Sequence, residues 1–224
     1  MKATFGQDSW QNIVHHSDIL RVYEVQLSMN EHANHNFCFP FDSLLTVADG
    51  QIFLESPIEE TSLKANQAVW LSHNQAIRCV AVSPLARLFV VVFNGQNTRH
   101  QDRFERFASG TEHKHELASG VTHWRVENKE FGKIEWVMLP ALYKEPIHYL
   151  KESEEFILPL NHDHSLCVAF EDQDLLAIGE SGLVISPGQC RSLVNSANKP
   201  ITYLSIITPY PKHSRILKLK STSR

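Results

Sequence analysis

The chain has 224 residues, 42% hydrophobic and 21% charged, enough to bury a core and too apolar for a disordered tail. Its 21 Lys and Arg against 25 Asp and Glu leave a net charge of −4, which supplies no general basic field for nucleic acid or an anionic membrane. The length accommodates one large β domain or two of roughly 110 residues each.

The first twenty residues include Asp8, Trp10, His15, His16 and Asp18, where a secretory signal would carry a basic start and an apolar core. The longest strongly apolar run, Leu88 to Phe93, is far short of the roughly 20 residues of a membrane helix. A cytoplasmic location without a membrane partner is therefore expected. Cys38, Cys79, Cys167 and Cys190 sit in apolar runs without CxxC spacing, which fits reduced, buried thiols.

In chain order, β-branched and aromatic runs predict strands over 21–29, 43–55, 67–72, 77–82 and 87–93. Asp49-Gly50, between two apolar runs, signals a hairpin turn, because both residues accept the positive dihedrals such a turn needs. Residues 97–120 are polar, and Phe104 and Phe107, three apart, suggest a linker with one weak amphipathic helix. Strands follow over 121–126, 134–139, 156–160, 165–170, 175–178, 183–186, 191–194 and 201–208. The basic residues 211–224 read as a solvated tail.

The second half repeats the first. Residues 43–54 align with 165–176, 68–78 with 182–192, and 84–91 with 200–207, with extra loop residues around 57–64 in the first copy. Many short strands at regular spacing indicate a sandwich or barrel. Gly182-Leu-Val-Ile-Ser-Pro-Gly-Gln-Cys-Arg-Ser-Leu-Val-Asn195, an apolar strand running into Pro-Gly, resembles the second signature motif of the cupin superfamily. The stretch from Leu63 through Arg78 is similar to the ligand-sensing cupin domain of AraC-type regulators. These resemblances imply an all-β chain of two tandem jelly-roll barrels, 1–96 and 121–210, joined by the partly helical linker 97–120.

Enzymatic cupins hold iron, manganese, nickel or zinc with a His-x-His step, a Glu four or five residues later, and a third His in the second motif. His162-Asp163-His164 supplies such a step, and on a strand its imidazoles would share one face with Leu166, Val168 and Phe170. The expected Glu falls on Val168 or Ala169, and the second-motif His is replaced by Arg191, a cation that does not ligate metals. In the first copy the corresponding positions read as Pro40, Asp42 and Ile77. Because catalytic metals usually take three protein ligands, His148, Glu154, Glu155, Cys167 and Cys190 are the candidates for a third.

The other histidines carry blander readings: His32 and His35 as a loop pair, His15, His16, His113 and His115 as solvated, and His73 as a turn residue. An inward Arg191 needs a partner in an apolar cup, either a bound carboxylate or phosphate or an internal bridge to Glu171 or Asp174. The leading expectation is a bicupin that binds a polar or acidic small molecule through His162, His164 and Arg191 and lacks a complete metal centre. The alternative is a metal-dependent dioxygenase or sugar-type isomerase built on His162 and His164. A homodimer is the expected protein partner, since cupins commonly pair through sheet edges.

Overall fold

The computed structural model describes residues 2–31, 35–97, 104–108, 114–129, 132–160, 164–171, 174–212 and 215–218. Two compact units divide the chain, Met1–Ser109 and Gly110–Arg224. The described residues form strands and turns without a helix, and none is long and apolar enough as a helix to cross a membrane.

In the first unit the strands are β1 (Lys2–Thr4), β2 (Trp10–His16), β3 (Leu20–Ser28), β4 (His35–Phe37), β5 (Ser43–Asp49), β6 (Gln51–Glu55), β7 (Glu60–Lys64), β8 (Gln67–Leu71), β9 (Ile77–Ala81), β10 (Leu85–Phe93) and β11 (Glu105–Ala108). Seven pair in the order β1-β2-β3-β10-β5-β8-β11 and four in the order β4-β9-β6-β7. Alternation along each strand sends one set of side chains inward. Val25, Leu45, Val47 and Val90 of the larger sheet thus meet Ile52, Leu54, Ile77 and Cys79 of the smaller in one core.

The second unit follows with β12 (Lys114–Glu116), β13 (Thr122–Lys129), β14 (Gly132–Leu139), β15 (His148–Tyr149), β16 (Glu154–Pro159), β17 (Leu166–Phe170), β18 (Leu176–Ala177), β19 (Leu183–Ile185), β20 (Arg191–Asn195), β21 (Ile201–Thr208) and β22 (Ile216–Leu217). Its sheets run β12-β13-β14-β21-β16-β19 and β18-β17-β20-β15-β22. The series β2-β3-β10-β5-β8 therefore recurs as β13-β14-β21-β16-β19, and β4-β9-β6-β7 as β15-β20-β17-β18.

The repeat is present, but two of the three sequence alignments are out of register. β5 corresponds to β16, so aligning 43–54 with 165–176 is one strand too far along. Aligning Pro84 with Pro200 is one residue out, because Ala86, Leu88 and Val90 point into the first core whereas Ile201 and Tyr203 point into the second. A one-residue slip exchanges the faces of a strand. The middle alignment holds, since Ile77 and Cys79 match the inward Arg191 and Leu193.

Asp49-Gly50 is a corner between sheets and not a hairpin: β5 pairs with β10 and β8, and β6 with β7 and β9. Gly50 has φ 78°, and a Cβ there would lie 2.4 Å from the Leu85 carbonyl oxygen, so the corner demands glycine as strongly as a hairpin would. The described residues of the expected linker contribute β11, which completes the edge of β8 with Glu105 opposite Trp70, and β12, which pairs with β13. Phe104 enters the first core while Phe107 is half-buried; their three-residue spacing separates strand faces as readily as it follows a helix turn. Within the expected tail, Ile216 pairs with Tyr149 of β15. Two thiols depart from the buried reading as well, Cys38 being exposed and Cys190 half-buried.

Candidate functional site

The interior of the second unit contains a charged network. Tyr203 and Ser205 share a face of β21, Ile157 and Glu155 a face of β16, and Leu193 and Arg191 a face of β20, and the apolar member of each pair places its polar neighbour inside. Arg191 forms an ion pair with Glu155, both essentially without solvent contact, and its Nη1 donates to the His148 carbonyl oxygen at 3.5 Å. Ser205 Oγ donates to Glu155 Oε1 at 2.6 Å. From the C-terminal segment Arg215 enters the same cluster, its Nη1 donating to Glu145 Oε1 at 3.0 Å and its Nη2 lying 3.5 Å from Glu155 Oε1. Two carboxylates and two guanidiniums thus face one another with their formal charges balanced.

His148 completes the cluster. Its Nδ1 donates to the Pro146 carbonyl at 2.9 Å, which leaves Nε2 facing Glu145 Oε2 at 4.0 Å. Burial, reinforced by the Arg215 and Arg191 charges, lowers its pKa to about 4, so the imidazole is neutral at pH 7. Burial and the Arg215 charge also bring Arg191 down to about 10, which leaves it a cation at that pH. The internal partner of Arg191 is Glu155, replacing the expected Glu171 or Asp174; Glu171 instead pairs with Lys218.

Beside this network two adjoining clefts, of about 240 and 250 Å³, share Leu117, His123 and Lys133. The first adds His115, Arg125 and Glu135, and the second adds Leu150, Ile207, Pro211 and Arg215. Val137 packs in the core, and period-two alternation along β14 puts Glu135 and Lys133 on its face, with Arg125 opposite Glu135 across the β13 pairing. Glu135 Oε2 accepts from His123 Nδ1 at 3.1 Å and contacts Lys133 Nζ at 2.8 Å. Burial pushes this carboxyl upward, but His123 and Lys133 outweigh it and bring the pKa to about 2. An ionised Glu135 fixes the proton of His123 on Nδ1, so Nε2 is the nitrogen offered to the cleft.

No protein-family model matches the sequence, and a search of curated proteins found no match. Solved structures do match. AerE from Microcystis aeruginosa superposes with a TM-score of 0.73 at 16% identity, covering 93% of this chain and 96% of that one. The Lactobacillus farciminis oxalate decarboxylase, solved as a formate complex, gives 0.68 at 10% identity over 96% and 88%. A cupin 2 conserved barrel domain protein from Leptotrichia buccalis gives 0.65 at 8% identity over 88% of each chain. Both units have the cupin fold.

The barrel also re-registers the cupin metal pattern. His148 lies opposite Arg191, the second-motif position, in the β15–β20 pairing. Reading the pattern from His148 puts the second His at Leu150 and the Glu, five residues on, at Glu155. At the four positions of the pattern the second barrel therefore has His148, Leu150, Glu155 and Arg191. In the first barrel Phe37 lies opposite Ile77, so the His-x-His equivalent is Phe37-x-Phe39, whose rings stack 5.7 Å apart, and not Pro40 and Asp42. Among the described residues no three His, Cys, Asp or Glu side chains are grouped so as to hold a metal. Among the described residues neither interior fits a resident cation, the first core being apolar and the second already holding two guanidiniums.

Arg191 is inside, as its strand face required, whereas His164 is exposed, with φ 53°, before β17 begins. His162, His32 and His113 lie outside the described residues. Of the candidates for a third ligand, His148 and Glu155 join Arg191. His73 lies beside buried Asp42 at 3.3 Å, at a cleft of about 590 Å³ in the first barrel, and His16 contacts Arg21. His123, Arg125, Lys133 and Glu135 escaped sequence reasoning, although charges at period two on strands with apolar inward residues were a usable signal. Nothing in the basic tail marked Arg215.

Proposed function

We propose that the second barrel binds a small organic acid in the cleft between Arg125, Lys133 and Arg215, without a resident metal. The charge of the lining carries this reading: these three cations meet Glu135 as the only acid lining either cleft among the described residues. Lys133 and Arg215 are held by buried carboxylates, while Arg125 is exposed and has no ion pair among the described residues. A ligand carboxylate would supply that partner in bidentate form. Leu117, Leu150, Ile207 and Pro211 provide an apolar wall, the usual complement to a few polar anchors. The ligand is therefore an acid with a short aliphatic body. The expected metal-dependent alternative at His162 and His164 gains no supporting observation from the exposed His164.

Calorimetric titration of the full chain with 4-methylpentanoate and with 3-methylbutylamine tests this reading. The acid binds and the amine does not. Arg125→Gln weakens the acid about tenfold, the ~1.4 kcal/mol of one charge-assisted contact. Equal binding of acid and amine, no binding of the acid, or an Arg125→Gln protein that binds as the parent does refutes it.

A further inference from the structure

We propose that the cleft is catalytic, with His123 moving a proton on the carbon next to the carbonyl of a bound 2-oxo acid. This inference rests on the organic-acid reading above and adds chemistry to it. Three features of His123 carry it. The side chain lines both clefts, its Nδ1 is occupied by the buried Glu135 carboxylate at 3.1 Å, and the same carboxylate oxygen is held at 2.8 Å by Lys133. A carboxylate that orients a histidine through one nitrogen leaves the other as an acid–base group of fixed tautomer. A group that only held the barrel together would not need to face a cleft lined by cations. Glu135 is a positioning residue here, because it acts through the His123 Nδ1 contact and not on the ligand itself.

The anchors set the substrate class. Arg125 takes the carboxylate, and the Lys133 ammonium has further N–H donors for an oxygen two atoms away. With those two groups placed, the C3 hydrogens of a 2-oxo acid are the acidic ones. His123 Nε2 removes one such proton, and the C–H electron pair becomes the C2–C3 double bond of an enolate. Lys133 stabilises the negative oxygen at C2. The imidazolium then returns a proton to carbon, either to C3, regenerating the acid, or to a conjugated position, giving an isomer. Atoms and charge balance without oxidant, reductant or metal, in keeping with an interior that does not fit a cation.

The experiment follows C3 proton loss by NMR in D2O, with the full chain and pyruvate, 2-oxobutyrate or 4-methyl-2-oxopentanoate. Exchange is expected to accelerate for at least one of the three. In His123→Asn, whose amide preserves a donor toward Glu135 and removes Nε2, the acceleration should fall about 10²- to 10⁴-fold. Calorimetry on the same variant should show the acid bound within about threefold of the parent, and unchanged circular dichroism confirms the fold. If the acids bind and no protein-dependent exchange occurs, or if His123→Asn retains it, the catalytic inference fails and the binding reading stands. If none of the acids binds and none exchanges, both fail.

Discussion

Replacing Arg191 by Met keeps the aliphatic stem and deletes the guanidinium. The Glu155 carboxylate, 0% exposed, would then have Ser205 Oγ at 2.6 Å and Arg215 Nη2 at 3.5 Å as its remaining partners. Breaking a buried pair from one side costs about 3–5 kcal/mol, and those two residual contacts place this variant near ~3 kcal/mol. Glu155→Leu is the harsher change, because it leaves Arg191 and Arg215 sharing Glu145, and about 5 kcal/mol is expected. The double variant removes one charge of each sign and leaves Arg215 paired with Glu145. Exchange of a buried pair for apolar groups of similar volume is close to neutral, so the double variant should return to within about 1 kcal/mol of the parent. Urea unfolding followed by Trp fluorescence provides the measurement, with Trp124 and Trp136 in the second unit and Trp10 and Trp70 in the first. A two-transition fit is required because each unit has its own core. Single variants that lose less than about 1 kcal/mol, or a double variant as unstable as the sum of the singles, would refute the compensated-charge account.

Stability should fall with acid in two successive windows. Below pH 6.5 an unfolded chain protonates His148 while the native barrel holds it neutral down to about 4, so at ~1.4 kcal/mol per pH unit roughly 3 kcal/mol is lost across that window. Glu135 extends the loss from 4.5 toward 2, since the unfolded carboxyl takes up its proton first. Urea titrations at pH 7, 5.5 and 4 should show the upper window flattened in His148→Asn and kept in Glu135→Gln; equal slopes in all three proteins would contradict the assignment. Untagged protein reconstituted with iron, manganese, nickel or zinc should retain no stoichiometric metal by elemental analysis. Stoichiometric metal lost in the His162→Ala, His164→Ala double variant would place a centre at that pair instead.

Period and turn chemistry made much of the fold legible. The strands around Leu88 to Phe93 and Ile201 to Thr208 were plain because long β-branched runs buried in a sheet centre carry their own signal. Strands whose partners lie far away in sequence were silent: β11 exists because β8 offers an edge, and β22 because β15 does. The metal pattern went to His162 because a literal His-x-His outweighs a degenerate His-x-Leu. Only the pairing of His148 with Arg191 reveals that 148–155 occupies the pattern's place. Arg191 could be read as inward from sequence, since Leu193 fixes its face, but the distance to Glu155 could not be read from 35 intervening residues. The cleft was less legible still, because its charges come from three strands and the C-terminal segment.

The buried carboxylate of Glu155 explains why the charge stays buried. With Leu150 and Arg191 beside it in place of metal ligands, Glu155 alone would be an uncompensated carboxylate at zero exposure, and such a group must find a counter-charge or become protonated. Arg191 supplies the counter-charge from the position of the missing ligand. The second guanidinium, Arg215, then requires Glu145, and its side chain, 27% exposed, carries the network from the sealed interior to the cleft wall. A fixed ion-pair lattice thereby fills this part of the interior, and His123, Arg125 and Lys133 line the cleft beside it. Substitutions within the interior pair should accordingly register first in stability, and substitutions in the cleft first in binding and proton exchange. Arg215 is the one residue expected to register in both.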